Sequence, residues 1–361
     1  MRILLLNQYF PPDPAPTGVL LKELADDLAA RGHTVDFVAA RQNYRAGQRR
    51  GGRMRREAVA LARMFFAGLR RPRPDVILSA SSPPCLLLVA TLLAGWHRAK
   101  SVHWIMDLYP EIAVALGEVP AGGVAGFLEK LMGWAYRRSA VVVALDGDMA
   151  ERLRMYRVRP EIIRPWVFAS MLAVLERATD VPQPPWTWIY SGNLGRAHEW
   201  ETLLAAQAIL EKLGAGIRLL FQGGGPSRPA AEQRARELGL RECEWTGYLD
   251  EAELPASLCR AQVLAVTQLP AAQGLLWPSK LGLTLSLPRA ILWIGPTDGA
   301  IARTLRALPQ AGVFAPGAAE EVAMWLLARQ AADRPVSRAL DPAAHRFEAL
   351  AAWGRILDRL A

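Results

Sequence analysis

The feature that most constrains this chain is a rhythm: short apolar runs, each too brief for a buried helix, separated by stretches with helical spacing. Ile3-Leu4-Leu5-Leu6 opens it, followed by a loop over residues 7–18 that carries Pro11, Pro12, Pro14 and Pro16. Val19, Leu20, Leu24, Leu28 and Ala29 then recur at the spacing of one helix face until Gly32-His33, a helix stop. Residues 35–39 (VDFVA) are the next run, and Val76-Ile77-Leu78, 101–105 (SVHWI) and 141–145 (VVVAL) continue the series. Mostly apolar runs do not suit a sheet with one face in water. They suit parallel strands covered by helices on both faces, because parallel neighbours need a long crossover and the crossover is usually helical.

The rhythm breaks at residues 176–186 (ERATDVPQPPW), which hold three prolines, and then restarts. Trp188-Ile189-Tyr190, 217–221 (IRLLF), 262–266 (QVLAV) and 290–294 (AILWI) are the strand candidates of the second half. The organisation expected is an α/β domain over 1–175, a linker over 176–186, a second α/β domain over 187–345, and a closing helix over 346–361 that packs back on the first domain. Ligands of such domains bind at the carboxyl ends of the strands, here in a cleft between the two.

Composition excludes several alternatives. A chain of 361 residues with 52% hydrophobic and 21% charged side chains has material for two or three cores and does not resemble a disordered protein. Cys85, Cys243 and Cys259 are far apart and odd in number, which argues against a disulfide framework or a zinc site and suits a reducing cytosol. The apolar start is too short for a signal peptide, and the longest greasy stretch, 85–96, has twelve residues where a membrane span needs about twenty. The net charge of +9 is local. Residues 41–73 hold eleven arginines and one acid, Glu57, while the rest of the chain is near neutral.

Three motifs of the second half point to anion binding. Gly192-Asn193-Leu194-Gly195 follows a strand and precedes a helix, so its N–H groups suit a phosphate, although an ordinary strand-to-helix turn has the same local sequence. Gly223-Gly224-Gly225-Pro226 lacks the third glycine of a dinucleotide fingerprint, which argues against a dehydrogenase, yet permits close approach of something flat or charged. In Trp277-Pro278-Ser279-Lys280, Ser279 is expected to cap a helix running through Leu287. That would set a hydroxyl, N–H groups and the Lys280 ammonium near one point.

In the first half, Asp107 leaves a core strand where a carboxylate faces the ligand side, whereas His103 lies inside that strand as a core residue. Asp146-Gly147-Asp148 spells a metal-binding D-x-D. Glu151 three residues after Asp148 makes it read as a relative of the capping box, and no metal site is expected. Residues 54–71 are expected to form a helix with Ala58, Val59, Ala62, Phe65, Phe66 and Leu69 in the core and Arg56, Arg63 and Arg70 along a flank. Its charge suits anionic lipid headgroups or a lipid-linked phosphate; the arginines have few aromatics among them, which disfavours nucleic acid.

Together these segments resemble bacterial GT-B glycosyltransferases of family 4, the branch that builds O-antigens, capsules and exopolysaccharides. The carrying segments are Tyr9-Phe10-Pro11-Pro12 with Gly18, residues 24–35 (LADDLAARGHTV), Ser81-Ser82-Pro83-Pro84, Asp107-Leu108-Tyr109-Pro110-Glu111 and Ala115-Leu116-Gly117. In the second half they are residues 190–198 (YSGNLGRAH), Gly223 to Pro226, Gly247-Tyr248 and the P-S-K-L run at 278–281.

The resemblance implies two Rossmann-like, doubly wound domains facing each other across a cleft, acceptor on the first and nucleotide-sugar on the second. It implies a retaining, metal-independent transfer with no cofactor beyond the nucleotide-diphosphate sugar, to a lipid-linked glycan, by an enzyme peripheral at the cytoplasmic face of the membrane. Donor contacts then fall on Gly192, Asn193, Arg196, His198, Gly223, Gly224, Tyr248, Ser279 and Lys280. Asp107 and Lys280 are the catalytic candidates, and Gly18, Arg56, Arg63 and Arg70 serve acceptor and membrane. The family's phosphate-contacting arginine and lysine fall on Asn193 and His198, its paired glutamates on Leu275 and Leu283, and its histidine before the aspartate on Met106. Two rival readings are a catalytically silent relative that binds nucleotide-sugar and a GT-B nucleotide-sugar epimerase.

Overall fold

The computed structural model describes residues 1–13, 15–40, 53–177, 182–332 and 336–361. Pro14, the 41–52 part of the arginine segment and linker residues 178–181 therefore lie outside the described residues. The chain divides into two units: Met1–Phe168 with Gly274–Trp277 and Arg346–Ala361, and Ala169–Gln273 with Pro278–His345.

The first unit begins β1 (Arg2–Asn7), α1 (Pro16–Ala30), β2 (Thr34–Ala39), α2 (Arg53–Leu69), β3 (Val76–Ala80) and α3 (Leu86–His97). It continues β4 (Lys100–Trp104), α4 (Glu111–Ala115), α5 (Gly123–Arg138), β5 (Val141–Ala144), α6 (Gly147–Arg154) and β6 (Glu161–Ile162). Its sheet is parallel throughout in the order β2-β1-β3-β4-β5-β6. The second unit holds α7 (Ala169–Arg177), β7 (Trp186–Ser191), α8 (Glu201–Lys212), β8 (Ile217–Gln222), α9 (Arg228–Glu237), β9 (Cys243–Thr246) and α10 (Leu254–Arg260). After these come β10 (Val263–Thr267), α11 (Lys280–Leu285), β11 (Ala290–Ile294), α12 (Ala300–Arg306), β12 (Ala311–Phe314) and α13 (Ala319–Ala332). This sheet is also parallel, in the order β12-β11-β10-β7-β8-β9. A last helix, α14 (Pro342–Asp358), closes the chain. The expected doubly wound α/β architecture is thus present twice.

The apolar runs are buried because helices cover them. Leu4, Leu6, Val38 and Ile77 pack under Ala60 and Met64 of α2 and Leu86, Val89, Ala90 and Leu93 of α3. Elsewhere in the first unit Trp104 meets Trp353 of α14 edge-on with ring centroids 5.0 Å apart, and stacks on Trp166 at 5.6 Å. Glu23 of α1 accepts from Trp166 Nε1 at 2.8 Å and from Arg346 Nε at 3.1 Å, so one carboxylate pins α1 to the start of that packing. In the second unit, Gln207 of α8 accepts from Trp188 Nε1 at 2.9 Å and donates to the Ile217 carbonyl at 2.8 Å, a buried amide tying two strands to a helix.

Three expectations are corrected. The units part at Phe168, ahead of 175, because α7 buries Met171 and Leu175 within the second unit; Gly274–Trp277 in turn belongs to the first. Strands β6, β9 and β12 were not expected. All three are edge strands: β6 is two residues long and exposed, β9 (CEWT) is only half-covered and lacks an apolar run, and β12 (AGVF) is a short run broken by Gly312. Finally, α2 is rotated from its expected seating: Ala60, Met64 and Gly68 are buried, while Ala58, Val59, Ala62 and Phe66 face water. A Cβ on Gly68 would sit 2.5 Å from a Leu93 methyl, so close approach to α3 is what selects that face.

Because the Trp353 ring is fully buried against Trp104, we expect Trp353→Ala to cost the first unit about 3–5 kcal/mol, read from a urea unfolding curve.

Candidate functional site

In the second unit the sheet order reverses between β7 and β10, which leaves a crevice beyond their carboxyl ends. The Gly192–Gly195 loop leaves β7 there, and the segment leading to α11 leaves β10. Gly192 N donates to the Gln222 carbonyl at 2.7 Å and Leu194 N to the Gly224 carbonyl at 2.6 Å, docking the first glycine loop on the second. A Cβ on Gly223 would collide with the Gly192 carbonyl, and one on Gly225 would lie 2.5 Å from the Leu194 carbonyl; both have φ of +128°. The triple glycine is therefore explained by the neighbouring loop's backbone, where the sequence pointed to a flat or charged ligand. Tyr248 Oη donates to Asn193 Oδ1 at 3.3 Å, with its ring against Gly224.

Lys280 enters this group from the first position of α11. Its Nζ lies 3.6 Å from the centroid of the Tyr190 ring, buried and with no hydrogen-bond partner. A Cβ on Gly192 would be 3.4 Å from Lys280 Cε, so glycine leaves the loop open toward the amine. Burial holds this lysine well below its ordinary range. The Tyr190 hydroxyl donates to the Asn193 carbonyl at 3.0 Å, so one side chain both faces the ammonium and shapes the loop. The sequence showed Tyr190 only as a strand residue.

Other donor-side expectations change. His198 is pushed down to about 3, by burial first and the charge of Lys280 second, and its Nδ1 accepts from Gly195 N at 3.1 Å. It is a neutral loop brace, not a second cation. Arg196 is exposed. Ser279 occupies the N-cap position with helical angles and makes no capping bond, and α11 has only six residues. Gly192, Asn193, Gly223, Gly224, His198, Tyr248 and Lys280 are thus brought together; Ser279 sits at the entrance of the helix with its hydroxyl uncommitted to a cap.

In the first unit the reversal falls between β1 and β3. Gly18 is buried there, with room for a Cβ only 3.1 Å from the Tyr9 carbonyl, so it lets α1 approach the loop after β1. Ser81 Oγ accepts from the N–H groups of Met106 at 2.8 Å and Asp107 at 3.0 Å, fixing the exit of β4. Asp107 pairs in an antiparallel bridge with Leu276, Leu108 N donates to the Leu275 carbonyl at 2.7 Å, and burial pushes the Asp107 carboxyl up to about 6. Leu275 is buried, and its contribution to that pairing is its backbone.

His103 is a core residue: its Nδ1 is 2.8 Å from Ser79 Oγ, and burial holds it near 3. The cap of α6 is Asp146, which accepts from Met149 N at 2.8 Å; Glu151 turns to Arg154 at 2.8 Å, so the expected Asp148–Glu151 capping box does not form. Glu111, unremarked as a site residue in the sequence, accepts from the Tyr156 hydroxyl through Oε1, and its buried Oε2 has no partner. Arg56 and Arg63 on α2 and Arg70 just after it are exposed.

Comparison with known proteins agrees with this geometry. Residues 17–167 match the model of Glycosyltransferase Family 4. The chain is 27% identical over 265 residues to WbjE of Pseudomonas aeruginosa, which carries the name of a glycosyltransferase; the match covers 68% of this chain and 65% of that relative. Just under two thirds of that relative's length is therefore spanned. It is 25% identical over 329 residues to WcaI of Escherichia coli K12, which carries the name of a colanic acid biosynthesis glycosyl transferase, covering 78% and 80%. Anabaena HepE, solved with UDP and glucose, superposes with a TM-score of 0.67 at 14% identity over 100% of this chain and 99% of its own. The fold is GT-B, and the family model and relatives support a transferase.

The raised Asp107 carboxyl has a measurable consequence. The native state holds a proton that the unfolded chain loses from about pH 4 upward, so Asp107 costs stability as pH rises through about 6. We expect Asp107→Asn to raise the thermal midpoint at pH 8 and leave it unchanged near pH 3.

Proposed function

We propose that this chain is a glycosyltransferase that moves a sugar from a nucleotide-diphosphate sugar to a glycan acceptor in cell-surface polysaccharide synthesis, with retention of configuration and no bound metal. The observation that carries the reading is the buried, unpartnered Lys280 amine over Tyr190, beside Gly192. A buried amine without a hydrogen bond is costly unless an anion completes it. The flanking glycine loop lets a diphosphate approach that amine closely.

Transfer breaks the bond from the anomeric carbon to the diphosphate oxygen, and negative charge grows on the leaving group. Lys280 meets that charge already oriented, which lowers the barrier more than it tightens ground-state binding. The group that meets the leaving group is an amine and not a set of carboxylates, which suits a site that stabilises it without a metal ion. Retention follows if the departing diphosphate oxygen takes the acceptor proton on the same face: the acceptor O–H breaks, the new C–O bond forms, and the proton ends on the nucleotide. Tyr248 and Gly224 flank the donor, and Asp107 is the acceptor-side polar group.

The acceptor in this reading is a sugar on a polyprenyl diphosphate at the cytoplasmic membrane face. The basic segment 41–73, with Arg56, Arg63 and Arg70 exposed, supports an anionic surface as partner. HepE's complex with UDP and glucose and WcaI's name support the donor class and the pathway type. The leucines at 275 and 283 favour one rival, a silent relative that binds donor without transferring it.

Lys280→Ala is expected to lower turnover about 100-fold or more with an unchanged circular dichroism spectrum; undiminished turnover removes Lys280 from the mechanism. Stabilisation by UDP-, GDP- or dTDP-sugars in a thermal-shift screen without transfer or hydrolysis of any would favour the silent relative. Because a bound dianion recharges the amine, nucleoside diphosphate binding should take up protons and weaken as pH rises. Calorimetry in buffers of different ionisation enthalpy reads that uptake, and Lys280→Met should abolish it.

A further inference from the structure

In the first unit α2, α3 and α5 pack side by side, α2 on α3 and α3 on α5. Their outward side is apolar where a surface helix is ordinarily polar. Leu92 and Trp96, one turn apart on α3, are 55% and 70% exposed; Val124 and Phe127 on α5 are 72% and 64% exposed; Phe66 on α2 is 57% exposed. Helix α3 has no charged side chain before His97, so its exposed face is as apolar as its buried one. Leu131 and Trp134 extend the α5 stripe, half-buried. Around this surface stand exposed cations: Arg63 on α2, Arg70 just after it, Arg98 just after α3, and Lys130 and Arg138 on α5, the last lying 5.0 Å over the Trp134 ring. The nearby acids Glu57 and Glu129 are half-buried.

An apolar centre with a cationic rim is complementary to one kind of partner in particular: a bilayer whose acyl boundary accepts the side chains while its phosphates meet the rim. A second copy of this face would oppose like charges, and nucleic acid offers no apolar partner to the exposed Leu92 and Val124. We propose that the α2–α3–α5 face docks the protein on an anionic bilayer, with Phe66, Trp96 and Phe127 entering the interface. This deepens the membrane-surface part of the function proposed above and rests on it. The docking is monotopic: among the described residues, no helix is long and apolar enough to cross a membrane. It also shifts the weight of binding. The arginines alone would give an interaction that salt removes, whereas an inserted apolar face leaves a component that salt does not screen.

Flotation of the purified full chain with phosphatidylcholine vesicles, and with vesicles also containing phosphatidylglycerol, tests this. We expect binding to the mixed vesicles that salt weakens without abolishing. The combined substitution Phe66→Ser, Trp96→Ser and Phe127→Ser, all at exposed positions, should lower partitioning about tenfold or more at both low and high salt. Arg63→Gln with Arg70→Gln should reduce the preference for the anionic vesicles. Wild-type protein that stays with neither vesicle overturns the proposal, as does a triple variant that floats like the wild type. A wild-type dimer that the triple variant turns into a monomer assigns the face to self-association instead. The nucleotide-dependent thermal shift should be the same in the triple variant, so a wild type that shows that shift but binds no vesicle sinks the docking face alone, while absence of the shift in a wild type that floats sinks the donor reading alone.

Discussion

Parallel strand pairing is the constraint from which the rest of this molecule follows. It sends every strand's carboxyl end to the same side of its sheet, so the loops that leave those ends share one edge. Where the winding direction reverses, two such loops diverge and a crevice opens with no helix to fill it. In the second unit that place lies beyond β7 and β10, and the glycine loop and Lys280 both arrive there. In the first unit the equivalent place is bordered by Gly18 and Ser81, with Asp107 one strand further along.

What distinguishes the second crevice is an electrostatic debt. Most buried polar groups in the molecule are matched, as Gln207 is by Trp188 and Ile217. Lys280 has only the face of an aromatic ring, which offsets part of the desolvation of a cation but supplies no acceptor. The glycines on either side keep the neighbouring backbone close while leaving the amine reachable. Stability would be better served by a leucine at 280.

Much of this was legible in residues alone, and the failures have identifiable physical causes. Central strands announce themselves because both faces are apolar, whereas edge strands such as β9, with half its surface wet, look like loops. Glycine spacing marked where two loops dock on one another, since few residue types tolerate such backbone crowding. Tyr190 escaped notice because its ring and its hydroxyl serve a site from inside a buried run. The seating of α2 was misjudged because Ala58, Ala60 and Ala62 are equally small and apolar, so no stripe is favoured until Gly68 meets Leu93. For the same reason α3, greasy all round, offered no seating from its sequence, and its bare outer face emerged only with its neighbours in place.

The path of the chain carries a last implication for engineering. It passes from one unit to the other at residue 168, returns for Gly274–Trp277, leaves again, and comes back for Arg346–Ala361. No single scission yields either half intact. A chimera that swaps donor modules must therefore splice at four junctions and carry both short returning pieces with the recipient. Recombination at one crossover would produce hybrids lacking the Trp353 wedge or the strand partner of Asp107, so interchange of halves between relatives should be rarer than a two-module layout invites.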